Sequence, residues 1–259
     1  MSALEHRLDR TIVIDATPQT VFSFFTESDR WAAWWGAGST IEPRAGGRMY
    51  IRHPGGVEAA GEVVELVPPE RIVFTYGFSS GHPIPEGSSR VTIRLEPVIT
   101  GTRLHLLHEF SEWKTRDEHV QGWRYQLSLF ANVVADALHA NAPTLVDGWF
   151  AAWSETDAGV REERLAAIAV PDVRCRDRFS ALTGIADLVP HITAAQRFMP
   201  DMHLERRGDV RHCQGRLLVD WIASNSEGHE RGSGKNVFTL GADGLITDVV
   251  GFWDPPKAK

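Results

Sequence analysis

Apolar positions along the chain change rhythm part-way. Residues 7–14 alternate loosely and stop before Pro18. Thr17-Pro18 opens a short helix through Val21, Phe22 and Phe25, with Thr as the cap and Pro in the first turn. Ser28 or Asp29 starts a second around Trp31, Trp34 and Trp35. Strand patterns follow near 47–53 and 57–67, joined by His53-Pro54-Gly55-Gly56, a turn by composition. Further strands fall at 71–77 after Pro68-Pro69, and at 89–96 and 102–110 across Gly101. The period then lengthens. Val120, Trp123, Leu127, Phe130, Val134 and Leu138 lie at steps of 3, 4, 3, 4 and 4, one face of a helix of about seven turns.

That helix ends at Asn141-Ala142-Pro143, because Asn suits a helix C-terminus and Pro disfavours helix in the residue before it. A second helical pattern starts at once, so the domain boundary is expected at 141–144, giving domains 1–142 and 143–259. The second half opens with helices at 144–156 and 160–169, a short strand at 172–177 and a helix at 184–198. Strands at 202–213, 215–224, 234–241 and 245–253 close the chain, with hairpin turns at Gly215 and Ala242-Asp243-Gly244. Both halves are therefore expected to be α+β: first a curved antiparallel sheet gripping a long C-terminal helix, then a cone of helices and a curved sheet. Each arrangement leaves a natural cavity between sheet and helices.

Composition narrows the functions. Net charge is −7, and each half is mildly acidic: 13 basic and 17 acidic residues in 1–142, 14 and 17 in 143–259. Nucleic acid and anionic membrane surfaces both need clustered positive charge, so neither is an expected partner. Cys175 and Cys213 are too few for a disulfide framework or a Cys-based zinc module; they are two small buried hydrophobes or one disulfide. No apolar run near the start resembles a signal peptide and none reaches membrane-span length, so a cytoplasmic protein is expected. Nine Trp stand against three Tyr, an excess suited to filling large cores or lining cavities. His191, His203, His212 and His229 show no metal-ligand spacing and are expected at the surface or at strand edges; no metal or cofactor is expected.

A resemblance covers about residues 6–140. Arg10-Thr11-Ile12, Ala16-Thr17-Pro18-Gln19-Thr20-Val21-Phe22, Trp31 to Trp34-Trp35, Gly46-Gly47 and Gly61-Glu62-Val63 occur in order. Pro68-Pro69-Glu70-Arg71-Ile72-Val73-Phe74-Thr75, Gly101-Thr102-Arg103-Leu104 and Gly122-Trp123 complete the set. Together they resemble the Hsp90-ATPase-activator homologue family of the START-like (SRPBCC) helix-grip superfamily. The resemblance implies a ligand held under the long helix. Candidate ligand-binding residues are then Trp34, Trp35, Phe74, Tyr76, His108, Trp123, Leu127 and Phe130. His108, the one titratable group on its apolar strand face, is either a polar handle for the ligand or a hydrogen-bonded core histidine. Trp34-Trp35 either gate the mouth or only pack. The Trp-His-Trp stretch of eukaryotic chaperone activators does not occur here, so the family name is weak support for chaperone work.

Residues 144–254 resemble the nuclear transport factor 2-like cone, in its SnoaL-like polyketide cyclase and ketosteroid isomerase branch. The carrying residues are Trp149-Phe150-Ala151-Ala152-Trp153 with Asp157, Asp172 to Asp177, Gly184 with Ile185 and Leu188, Gly241 to Ile246, and Gly251-Phe252-Trp253. The resemblance puts a general-base Asp at Asp177 and a second acid at the position of Asn236, while the oxyanion Tyr of the first helix is matched only by Trp149. Asp177 is thus a candidate base and Asn236 a candidate donor; alternatively Asp177 caps a turn or pairs with Arg176 or Arg178. Trp149, Trp153, Phe179, Phe238 and Trp253 are candidate ligand contacts. Asp220 alternates with Leu218 and Ile222, and either that set or Val219 with Trp221 faces inward.

Three functions compete. The first is binding of a small apolar molecule (polyketide-, steroid- or lipid-like) in one or both cavities. The second is isomerisation or cyclisation of an enolisable ketone through Asp177. The third is binding of a chaperone or regulator. The missing Tyr and acid favour binding. A homodimer through the outer sheet face of the second half is also expected.

Overall fold

The computed structural model describes residues 3–255. The chain divides into two compact units, one running to Ala135 and one from Asp136. The expected boundary at 142/143 lies seven residues later. His139, 3% exposed, bonds the Gly241 carbonyl at 3.3 Å, so the segment after the long helix belongs to the second unit.

In the first unit β1 (His6–Ile14) precedes α1 (Pro18–Ser23) and α2 (Ser28–Trp35). Strands β2 (Thr40–Ile41), β3 (Arg48–Arg52), β4 (Glu58–Val67), β5 (Arg71–Phe78), β6 (Ser89–Val98) and β7 (Gly101–Phe110) follow, then α3 (Trp113–Leu138). The seven strands form one antiparallel sheet in the order β1-β7-β6-β5-β4-β3-β2. Thr17 caps α1 as expected, its hydroxyl accepting from Thr20 N at 3.2 Å. Ser28 opens α2, but its side chain bonds the Ile41 backbone rather than capping the helix. The sheet must curve, and β4 carries the bend. A Cβ on Gly61 would come within 1.9 Å of the Thr75 carbonyl oxygen, and the register slips between Val63 and Glu65.

The α3 stripe lands where its period puts it. Trp123, Leu127, Phe130 and Val134 are buried, whereas Val120 and Leu138 at its ends are half-buried. Phe130 meets the rings of Phe24, Phe25 and Trp34 at 6.0, 5.1 and 4.8 Å. Four fully buried residues at about 1.5–3 kcal/mol each make this face a large part of the unit's stability.

The second unit runs α4 (Ala142–Ser154), α5 (Ala158–Ala166), β8 (Ala169–Arg176), β9 (Ala181–Thr183) and α6 (Ile185–Phe198). It closes with β10 (His203–Cys213), β11 (Arg216–Ser224), β12 (Glu230–Leu240) and β13 (Ile246–Trp253). The sheet order is β10-β11-β12-β13-β8-β9, with β13 and β8 parallel and the other pairs antiparallel. The α+β class is as expected. The helix placed at 160–169 ends three residues early because Ala169 already pairs with Ile246 in the sheet. Asp157 caps α5, accepting from Val160 N at 2.9 Å. Arg161, fully buried, ties α5 to α6. Its guanidinium donates to the Glu155 and Val189 carbonyls, Thr193 Oγ1 and Gln196 Oε1. Along β11 the inward set is Leu217, Val219, Trp221 and Ala223; Asp220 faces outward, bonded to Lys235 and Arg211. Both cysteines are free.

Candidate functional site

The first unit holds a cavity of about 510 Å³ between α3, α2 and the sheet. That is the size of a site for a drug-sized molecule. Of the expected ligand residues, Trp34, Trp35, Tyr76 and Trp123 line it. Phe74, Leu127 and Phe130 do not; they lie in the core, at most 3% exposed. Trp34 and Trp35 are themselves buried, at 2% and 4% exposed, and form walls of the cavity.

The walls are held from behind. Trp31 donates its indole N–H to Tyr50 O at 3.1 Å and Trp34 to Phe24 O at 3.3 Å, while Gln126 of α3 donates to Trp34 O. Trp123 donates to His108 Nδ1 at 2.9 Å. An indole N–H can only donate, so this bond fixes the tautomer of His108: Nδ1 accepts and Nε2 carries the proton. Nε2–H then faces Ser89 Oγ at 2.8 Å, and Ser89 donates on to Tyr76 O at 2.8 Å. Cross-strand register explains the meeting, since Ser89 pairs with Tyr76 and Val91 with His108. His108 is fully buried and outside the cavity lining. Burial, with His119 adding repulsion, holds its pKa well below the usual histidine value. Of the two readings the core histidine fits this geometry, with its Nδ1 accepting from the Trp123 indole.

Two histidines outside the expected set do line the cavity, His53 and His119. Burial lowers both pKa values, so both rings are neutral at pH 7. His119 lies four residues before Trp123, on the same helix face, a spacing readable in the sequence. His53 sits where the expected turn begins, and its closeness to Trp35 (5.5 Å between ring centroids) is a long-range contact with no local signal. Burial also raises the Tyr76 phenol pKa, leaving it protonated. Three lining residues keep a buried polar atom with no protein partner: Trp35 Nε1, His53 Nε2 and His119 Nε2.

The second unit's more enclosed cavity is about 60 Å³ and is lined by Trp149, Trp153, Asp177, Trp221, Asn236 and Trp253 among others; a more open and more polar hollow of about 510 Å³ shares Met199, Met202, Ala223 and Trp253 with it. Phe238 lies beneath it, fully buried against Trp149 and Phe150. Phe179 is outside, 67% exposed, its ring edge-on to Trp253 at 5.4 Å. Asp177 and Asn236 converge on Gly251, where an added Cβ would lie 3.3 Å from Asp177 Cβ and 3.2 Å from Asn236 Oδ1. Asp177 stands one residue past β8 and closes a turn. Its Oδ1 accepts from Phe179 N, Ser180 N and Ser180 Oγ at 2.8, 2.7 and 2.9 Å, and its Oδ2 from Trp253 Nε1 at 3.1 Å. Neither neighbouring arginine takes it: Arg176 pairs with Asp248 and Arg178 lies over the Phe179 ring. Burial, with Asp177 and Asp248 adding to it, pushes the neighbouring Cys175 thiol up to about 12, so it is not a nucleophile at pH 7. Among the described residues no group of three or more His, Cys, Asp or Glu is placed to hold a metal ion, and no helix is long and apolar enough to cross a membrane.

Residues 15–135 match the family model for the activator of Hsp90 ATPase homologue 1-like proteins. No curated protein matches the chain. Among solved structures, the chain is similar to a SnoaL-like family member from Agrobacterium tumefaciens, 24% identical over 46% of this chain and 99% of that one, with a TM-score of 0.42. It is also similar to protein MLL2253 from Mesorhizobium loti, 20% identical over 50% of this chain and 96% of that one, TM-score 0.45. A third is the Aha1 dimer from Colwellia psychrerythraea, 19% identical over 47% of this chain and 90% of that one, TM-score 0.41. The family model thus covers the part of the chain for which the sequence suggested that family.

Proposed function

We propose that this protein binds a small, largely apolar molecule in the cavity of its first unit. The observation that carries this reading is the combination of a cavity of about 510 Å³ with aromatic walls whose own donors are mostly satisfied behind them. Such walls need no ligand to stay apart, and a preformed site avoids the cost of ordering on binding. Asp177 as a catalytic base is the weaker reading. Its oxygens already accept four hydrogen bonds, and the cavity it shares with Asn236 is about 60 Å³, too small for a polycyclic ketone without rearrangement, while the more open hollow of about 400 Å³ that also borders Asp177 is not lined by Asn236.

Gly122 supplies the test. It lines the cavity, and a Cβ there would meet nothing within 4 Å. Gly122→Phe therefore adds a ring at the edge of the cavity with no clash at its Cβ, and removes a helix-interior glycine that costs roughly 1 kcal/mol. An environment-sensitive apolar dye is expected to bind the full-length protein and to lose at least about tenfold in affinity in Gly122→Phe, with stability unchanged or raised. Unchanged dye binding in that variant would remove the first cavity as the site. The homodimer expected from the sequence would use the outer sheet face around Leu218, Ile222, Val237 and Phe252; sedimentation as a 28.8 kDa monomer at micromolar concentration would rule it out.

A further inference from the structure

Tyr76 stands on the inward face of β5, in step with Phe74 and Phe78. It is 4% exposed and lines the first cavity, so the little surface it keeps faces that space. Its backbone and its ring are both fixed. The Tyr76 carbonyl accepts from Ser89 Oγ at 2.8 Å. The ring lies edge-on to Phe78, His108 and His119, with centroids 5.5, 5.5 and 6.1 Å away. Packing thus sets the direction of the phenol, and no bond from its hydroxyl is needed to hold it.

That hydroxyl differs from the other polar atoms of the wall. Trp35 Nε1, His53 Nε2 and His119 Nε2 are unpartnered but also sealed from solvent, so nothing in the cavity reaches them. The N–H groups of Trp34, Trp123 and Gln126 are engaged by Phe24 O, His108 Nδ1 and Trp34 O. The Tyr76 hydroxyl is neither sealed nor engaged, having no hydrogen-bond partner among the described residues. Burial raises its pKa, so it keeps its proton at pH 7 and is available as a donor.

A ligand that fills the cavity cuts this hydroxyl off from water. A buried donor left unpaired carries its full desolvation cost, so a ligand with an acceptor at that point is favoured over one without. A phenol donates better than it accepts, because its lone pairs are drawn into the ring. Charge narrows the acceptor. Among the described residues that line the cavity none is Lys or Arg, and Glu118 alone is a carboxylate. A ligand carboxylate or phosphate would find no counter-charge there. An uncharged carbonyl oxygen meets both conditions.

We propose that Tyr76 selects the ligand, a neutral and largely apolar molecule whose carbonyl oxygen accepts a hydrogen bond from the Tyr76 hydroxyl. This rests on the first cavity being a ligand site and adds the residue that discriminates among apolar molecules of similar shape.

Two probes test it on the full-length protein: acetylnaphthalene and ethylnaphthalene, which have nearly the same shape and differ by the carbonyl oxygen. Tyr76→Phe removes only the hydroxyl. The ratio of acetylnaphthalene to ethylnaphthalene affinity is expected to fall about tenfold from wild type to Tyr76→Phe. The carbonyl stretch of acetylnaphthalene bound to the wild-type protein is expected below its frequency in hexane, because a hydrogen bond weakens the C=O bond, and to return toward it in the variant. The same affinity ratio in both proteins would overturn this proposal while leaving the cavity as an apolar ligand site. So would a stretch that stays low in Tyr76→Phe, or one at the hexane frequency in wild type, a reading that needs no variant to fold. Failure of both probes to bind, or binding that Gly122→Phe leaves untouched, would overturn the cavity reading and this proposal with it.

Discussion

The two units use the same excess of indole rings in opposite ways. In the first, rings are walls. Trp31, Trp34 and Trp123 are anchored through their N–H groups to Tyr50, Phe24 and His108, and about 510 Å³ stays open between ring faces. In the second, rings are a plug. Trp221 meets Trp253 at 4.9 Å, Trp253 is tied to Asp177, and the cavity enclosed between these rings, Trp149 and Trp153 is about 60 Å³. The larger hollows of this unit lie on the outer side of Met199 and Arg176 in more open positions. The difference teaches that aromatic content does not by itself make a binding site. What matters is whether the rings are held apart, as Trp34 and Trp123 are by bonds behind the cavity, or packed on one another, as Trp221 and Trp253 are.

The largest effect expected from this contrast is on stability. Phe238 is fully buried beneath the second cavity, edge-on to Trp149 and Phe150 at 5.9 and 6.3 Å. Phe238→Ala should destabilise the second unit by about 3–5 kcal/mol. Tyr125 lines the first cavity but is 69% exposed, and Tyr125→Ala should stay within about 0.5 kcal/mol. Hydrogen exchange of the intact chain, followed peptide by peptide, assigns each loss to its unit. Comparable losses in the two variants would break the distinction between plug and wall.

Acid should separate the units next. His108, His53 and His119, all in the first unit, have pKa values lowered by burial. Above the unfolded value of about 6.5 each ring is neutral in both states, and the full stability is present. Below it the unfolded chain takes protons that the folded unit refuses, so stability falls with pH. For the fully buried His108 alone the loss approaches about 1.4 kcal/mol per pH unit until its folded pKa is reached. His53 and His119, partly exposed, add to it in the same direction. In the second unit the lowered carboxylate is Asp220, through its bond to Lys235, and its contribution is lost only as pH falls below the usual carboxylate range near about 4. Between those limits, exchange corrected for intrinsic rate should rise more steeply in β5–β7 and α3 than in β10–β13. An equal rise in both would mean that His108 is not held neutral by its network.

How much of this was legible beforehand follows from what periodicity encodes. The stripe from Trp123 to Val134 and the strand faces of Ile72, Phe74 and Tyr76 were readable because period specifies a face. Depth is not encoded that way. Phe74, Leu127 and Phe130 share faces with cavity residues yet sit in the core, since curvature at Gly61 and ring rotamers decide where the open space falls. His119 was within reach through its four-residue spacing from Trp123, whereas His53 reaches Trp35 only through the tertiary fold. The resemblance offered a base at Asp177, but a nearer signal was local. An Asp three residues before a Ser, just past a strand, is turn chemistry, and the carboxylate is bonded in that way.

The smallest effect, and the one that most sharpens the contrast, belongs to Asp177. In Asp177→Asn one side-chain oxygen remains to accept from Phe179 N, Ser180 N and Ser180 Oγ, so the turn keeps its shape. The other oxygen becomes an amide N–H facing the Trp253 indole N–H, donor against donor. One charge-assisted bond is lost and three are weakened, which should cost about 1 kcal/mol in equilibrium denaturation and loosen Trp253 against Phe179. A general base gives a different pattern. It would leave stability nearly unchanged and abolish proton transfer, because an amide cannot take the proton. Screening enolisable ketones against wild type and Asp177→Asn distinguishes the two. An activity lost in the variant without loss of stability would show that the plug opens and that Asp177 leaves its turn to work. A drop of about 1 kcal/mol, with no ketone turned over by either protein, is what a carboxylate committed to the Ser180 turn and to Trp253 should produce.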